Sequence, residues 1–105
     1  MPYILGVLQE EYERLTRQRK IYSDILKDLP RVGGSIVKKE ISHNIYYYFA
    51  YREGKQVKTD YIKKENLEEF KEKLKERDRV KKVISNIDID LKIIERTLKR
   101  EKVLK

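Results

Sequence analysis

Hydrophobic positions along this chain change period twice, and each change marks a different element. From Tyr3 to Leu29, Ile4, Leu8, Leu15, Tyr22 and Ile25 recur at three, four or seven residues, with Val7, Tyr12 and Leu26 widening the stripe. That spacing predicts an amphipathic helix over residues 3–29. Pro30 ends it, because the residue before a proline is pushed out of the helical region, and Gly33-Gly34 frees the chain to turn. From residue 35 to 62 the pattern alternates, with a break at Ser42-His43-Asn44 and a tight turn at Glu53-Gly54-Lys55, so three short antiparallel strands are expected. In the middle strand one face would carry Ile45, Tyr47, Phe49 and Tyr51, and the other Tyr46, Tyr48, Ala50 and Arg52. Both faces are apolar or aromatic enough to be buried, so alternation alone leaves open which one goes in.

The helical period returns after Lys64. Asn66 followed by Glu69 reads as a capping pair, which places a helix start there. Leu67, Phe70 and Leu74 form one apolar stripe, and Val80, Ile84, Ile87, Leu91, Ile94 and Leu98 form a second with the four- and three-residue spacing of a coiled coil. The first stripe is expected to cover the sheet and the second to pair with the first helix. Ser85-Asn86-Ile87-Asp88-Ile89-Asp90 has poor helix propensity and is the expected kink or break, so residues 66–102 make one helix or two. The fold expected is α+β: an N-terminal helix, a three-stranded antiparallel sheet, and a long C-terminal helix or helix pair packed antiparallel on the first.

Composition narrows the class. With 105 residues the chain is expected to form one domain, 1–105, and 42% charged residues with only two Pro and four Gly suit long solvated helices. No cysteine is present, so disulfides, thiolate metal sites and a nucleophilic Cys are excluded. The start MPYILGVLQEEY has neither a basic leader nor an apolar core of signal length, and no run approaches the roughly 18 apolar residues that span a bilayer, so a cytoplasmic protein with no membrane contact is expected.

Candidate catalytic chemistry is sparse. His43, the single histidine, falls in a turn with no cysteine to join it, so neither a triad nor a histidine-rich metal site can be built, and no cofactor is implied. Glycines at 6, 33, 34 and 54 are too scattered for a phosphate-cradling loop. The carboxylates alternate with Lys and Arg as on solvated helix faces. A non-enzymatic protein is expected.

Charge directs attention to the middle of the chain. The net charge is +8, and residues 31–64 hold eight bases (Arg31, Lys38, Lys39, Arg52, Lys55, Lys58, Lys63, Lys64) against three acids (Glu40, Glu53, Asp60). Five of the eight tyrosines lie in the same segment. Rings that stack beside cations that meet phosphates suit nucleic acid, DNA or RNA, and the candidate contacts are Lys38, Lys39, Tyr46, Tyr48, Arg52, Lys55, Lys58, Lys63 and Lys64. The competing reading is structural: tyrosine is a strand former that packs cross-strand, and edge lysines keep strands from pairing with other chains. The alternative partner is an acidic protein surface, as for a small antitoxin or an inhibitor of a host nucleic-acid enzyme such as an anti-defence protein. A homodimer through Ile84, Ile87, Leu91, Ile94 and Leu98 is a further expectation, should the shorter first helix leave that stripe partly uncovered.

Gly34-Ser35-Ile36, then YYYFAYREGKQVKTDYI from Tyr46 to Ile62, then a Lys/Glu-rich helix from Leu67, resemble a widespread family of small proteins from bacteria, archaea and their mobile elements, phage included. The family's run is GxI followed by YYYxxYREGxKVKxxYI, which this chain follows with Gln56 in place of the Lys before Val57, and the likeness covers about residues 33–100. Membership implies no particular activity. More loosely, the hairpin resembles the three-stranded N-terminal DNA-binding domain of tyrosine integrases, which implies a sheet that enters a groove through Tyr46, Tyr48, Arg52, Lys55 and Lys58. The long first helix and the second apolar stripe depart from that pattern.

Overall fold

The computed structural model describes residues 2–101, with side chains from Leu5 onward. Helix α1 (Pro2–Lys27) is followed by strands β1 (Ser35–Ile41), β2 (Asn44–Glu53) and β3 (Gln56–Ile62), a 3₁₀ turn (Lys64–Asn66) and helix α2 (Leu67–Arg100). The expected Tyr3 and Ile4 side chains and helix end at residue 102 lie outside the described residues. Two compact units result: residues 1–26 with 79–105, and residues 27–78. The first turns of α2 belong to the sheet unit and the remainder to the helical unit.

In the helical unit Leu15, Ile87, Ile94 and Leu98 are buried together, with Leu5, Leu8, Tyr12, Tyr22, Val83 and Leu91 packed around them. The chain leaves this unit at Leu26 and re-enters at Arg79, and Arg19, late in α1, bonds Asp88, early in the returning segment. The two segments therefore run antiparallel. Val7 and Ile25, expected in the α1 stripe, are 49% and 40% exposed; Leu5 packs instead. Helical structure continues unbroken through Ser85–Asp90. Propensity there is weak, but Ile87 on one side and the Arg19–Asp88 pair on another give those residues tertiary partners.

The sheet unit begins with a turn that its sequence requires. Gly34 N–H donates to Arg31 O (3.1 Å), and Gly33 takes φ +88°, the left-handed position of a type II turn. Arg77, with its side chain 11% exposed, donates from Nη1 to Arg31 O (3.0 Å) and Gly34 O (2.8 Å), tying this turn to α2. The sheet order is β1-β2-β3, antiparallel throughout. Ser42 and His43 both have positive φ, the pattern of a type I′ hairpin turn, while in the Gly54-Lys55 turn only Gly54 does, the pattern of type II′. The core here is Phe49, Ile62 and Leu67, with Ile36, Tyr47, Tyr51, Phe70 and Leu74 against it. Phe49 and Phe70 rings lie 5.1 Å apart in a tilted pair. α2 does not start at an Asn66 cap: Asn66 N–H donates to Lys63 O (2.9 Å), so helical turning begins three residues earlier, after extended Lys63.

A methyl group at Gly34 would collide with the Phe49 ring, whereas one at Gly6 would meet nothing within 4 Å. Gly34→Ala is expected to destabilise the fold by about 1–3 kcal/mol, and Gly6→Ala to stabilise α1 by roughly 0.5–1 kcal/mol. Urea midpoints of the two variants, moving in opposite directions, check this; equal shifts would refute it.

The Arg19 hydrogen bonds hold the Asp88 carboxyl below its ordinary range. A depressed folded-state pKa means stability that is present above the unfolded value of about 3.9 and lost as pH falls through the folded one. The pair is nearly half exposed, so the effect is small. Wild type should exceed Asp88→Asn in thermal midpoint at pH 7, with the gap closing below about pH 4; a gap independent of pH would contradict the assignment.

Candidate binding face of the sheet

Antiparallel pairing decides which side chains share a face. Phe49 points into the core, so its strand neighbours of the same parity, Tyr47 and Tyr51, turn toward Leu67, Phe70 and Leu74. Tyr46, Tyr48, Ala50 and Arg52 therefore project from the other side. Register extends that side across the sheet: Val37 pairs with Tyr48 and Lys39 with Tyr46 on β1, and Tyr61 pairs with Tyr48, Thr59 with Ala50 and Val57 with Arg52 on β3.

Three tyrosines form the centre of this face. Tyr61 lies 6.4 Å from Tyr46 and 5.7 Å from Tyr48 between ring centroids, both pairs tilted. Lys39 Nζ stands 5.0 Å over the Tyr48 ring. Around them, Tyr61 is 56% exposed, Val57 65% and Ile41 51%, an apolar and aromatic surface without a covering layer in the sheet unit. At the end of the sheet a depression of about 290 Å³ is lined from both faces, by Asn44, Tyr46, Tyr61 and Lys64 together with Ile45, Tyr47 and Ile62.

The same parity sorts the charges. Glu40 pairs with Ile45, Asp60 with Phe49, and Glu53 lies on β2 in step with Phe49 and Tyr51, so all three acids of this segment project from the helix-bearing side. Lys39 and Arg52 are left as the charged strand residues of the tyrosine face, and both are basic. Arg31 sits on the helix-bearing side, 5.3 Å over the Tyr51 ring, with Nη1 donating to Arg52 O (3.2 Å).

The expected cluster is thus divided. Lys38 pairs with Tyr47 and Lys58 with Tyr51, which puts both on the opposite face from Tyr46, Tyr48 and Arg52. Lys58 bonds Glu53 (2.8 Å), which raises the lysine pKa and lowers the glutamate's, each chiefly through that hydrogen bond. Lys55 occupies the β2–β3 turn, Lys63 follows β3 and Lys64 opens the 3₁₀ turn, all exposed at the margin. Tyr61 belongs at the centre although the candidate set lacked it. Counting equal steps back from the Glu53–Gln56 pair brings Tyr48 opposite Tyr61, so the turn chemistry held the signal. Of the proposed dimer stripe, Ile87, Ile94 and Leu98 are buried in the helical unit's own core, Leu91 packs against it, and Ile84 is half-buried. Ile89 and Ile93 are the exposed isoleucines of that helix, at 55% and 57%.

No helix among the described residues is long and apolar enough to cross a membrane. Comparison with known proteins finds a family model matching residues 6–72, that of a domain of unknown function (DUF6788). No curated protein and no solved structure matches the chain.

The face assignment has a direct stability signature. Phe49→Ala should cost about 3–5 kcal/mol, because a buried ring leaves a cavity, whereas Tyr61→Ala, on the exposed face, should cost under about 1.5 kcal/mol. Denaturant titration of both variants tests the inside and outside of the sheet, and a larger loss for Tyr61→Ala than for Phe49→Ala would mean the faces are assigned backwards.

Proposed function

The chain belongs to the DUF6788 family, whose description carries no activity, and from its own residues we propose that it is a non-enzymatic module that binds nucleic acid on the tyrosine face of its sheet. The observation that supports this most is the sorting of charge by strand parity. Base and acid are adjacent in sequence at Lys39-Glu40 and Arg52-Glu53, yet Lys39 and Arg52 end on the face with Tyr46, Tyr48 and Tyr61, while Glu40, Glu53 and Asp60 end on the other with Lys38 and Lys58. A face free of carboxylates repels no phosphate, and its rings offer contact that needs no particular base. Lys55, Lys63 and Lys64 at the margins extend the positive field. The likeness of the hairpin to the integrase DNA-binding domain points to the same sheet, although Lys58, one of the positions that likeness implies, pairs with Glu53 on the far side.

An acidic protein surface is the alternative occupant, since the same cations would meet its carboxylates. The two separate in one measurement. Lys39→Glu and Arg52→Glu should each lower retention on DNA or RNA severalfold at moderate salt, and the salt slope should fall by about one for each phosphate contact removed. Lys58→Glu, on the other face, should weaken binding less. Retention that is absent in wild type, or equal in all three variants, would remove the proposal and leave the protein partner.

A further inference from the structure

We infer that the nucleic acid taken by this face is single-stranded, with bases stacked on Tyr46, Tyr48 and Tyr61. The inference rests on the nucleic-acid reading above and adds the strand class.

Spacing carries the argument. Side chains on one face of a strand recur every second residue, about 6.8 Å apart. Tyr46 and Tyr48 are such neighbours on β2, and Tyr61, opposite Tyr48, stands 5.7 to 6.4 Å from the two rings. Bases in one strand of a duplex rise about 3.4 Å and are stacked on each other, so their flat faces are closed and only their edges line the grooves. Rings set at nearly twice that rise have no base face to meet in a duplex. A single strand can splay its bases to this spacing, one base to a ring.

Charge agrees with spacing. A duplex reader draws its affinity from many phosphate contacts, commonly six to ten. Here the strands of the face supply Lys39 and Arg52, with Lys55, Lys63 and Lys64 at its margin, and uncharged residues make up the rest: Ile41, Val57 and the three tyrosines beside Ser35, Asn44 and Thr59. Such a surface gains more from stacking than from counterion release. Lys39 sits over Tyr48 where a base would lie; on binding it moves aside to the neighbouring phosphate, so the cation that shields the ring in the free protein becomes a backbone contact.

The test compares labelled single-stranded DNA and RNA of about 12 nucleotides with the matching duplexes by fluorescence anisotropy at about 100 mM salt, a length within the 4–16 nucleotides typical of small single-strand sites. Single strands, of either sugar, should bind at least about tenfold more tightly than duplexes. Tyr61→Leu, which keeps an apolar residue at an exposed site, should lower single-strand affinity roughly five- to a hundredfold, and Tyr61→Phe should restore it. Thermal midpoints within about 3 °C of wild type confirm that the variants fold; should Tyr61→Leu fall outside that range, Tyr46→Leu takes its place. Duplex bound as tightly as single strand, or a folded leucine variant with unchanged affinity, overturns the single-strand inference and leaves the broader reading standing. No binding of any oligonucleotide, even at low salt, overturns both.

Discussion

Burial of the Phe49 ring is the constraint from which the rest of the sheet unit follows. Phe49 sits against Leu67, Ile62 and Phe70, and Gly34 approaches so closely that no side chain fits there. Once that ring is inside, the two-residue period of a strand leaves no freedom to its neighbours. Tyr47 and Tyr51 must turn in, and Tyr46, Tyr48 and Arg52 must turn out. A register slip of one residue would exchange the two sets, burying Arg52 and exposing Phe49. The two-residue turn at Gly54-Lys55 and the Ser42-His43 turn fix the registers on either side and prevent that slip.

Arg77 shows how the connection into the sheet is held. Its guanidinium spans the carbonyls of Arg31 and Gly34, so the turn after α1 has its backbone oxygens satisfied by a nearly buried cation from α2. Both bonds come from one nitrogen, Nη1, whose two hydrogens serve one carbonyl each. The same turn delivers Gly34 to the Phe49 ring. Polar satisfaction and close packing thus meet at a single short segment, whose Pro30, Gly33 and Gly34 each have a separate physical reason to be there.

On the tyrosine face, proximity converts scattered residues into a surface with one character. Lys39, Tyr46, Tyr48, Arg52, Val57 and Tyr61 come from three strands and lie far apart in sequence, yet cross-strand pairing gathers them. The carboxylates that neutralise this segment in sequence are removed to the opposite face, where Glu53 is engaged by Lys58. The strands of the side that carries the rings are therefore left with basic charges alone, Lys39 and Arg52. In the helical unit the opposite holds: the coiled-coil stripe that invited a dimer is occupied within the chain by Leu15, Tyr12 and Leu8, and the exposed Ile89 and Ile93 fall outside it.

Much of this architecture was legible along the chain, because period, proline, glycine and turn residues act locally. Element order, the strand boundaries, the stripe from Ile87 to Leu98 and the division of β2 into two faces all come from neighbours within a few residues of each other. Three things did not. Which β2 face is buried depended on the fit of Phe49 between Gly34 and Phe70, residues distant in sequence. The separation of Lys38 from the tyrosines required the register of the first hairpin, and that of Lys58, with the arrival of Tyr61, the register that the Gly54-Lys55 turn sets in the second. The continuity of α2 through Ser85–Asp90 required partners from α1 to outweigh weak local propensity. In each case the deciding energy belongs to contacts between segments, and composition counts residues without knowing which of them will meet.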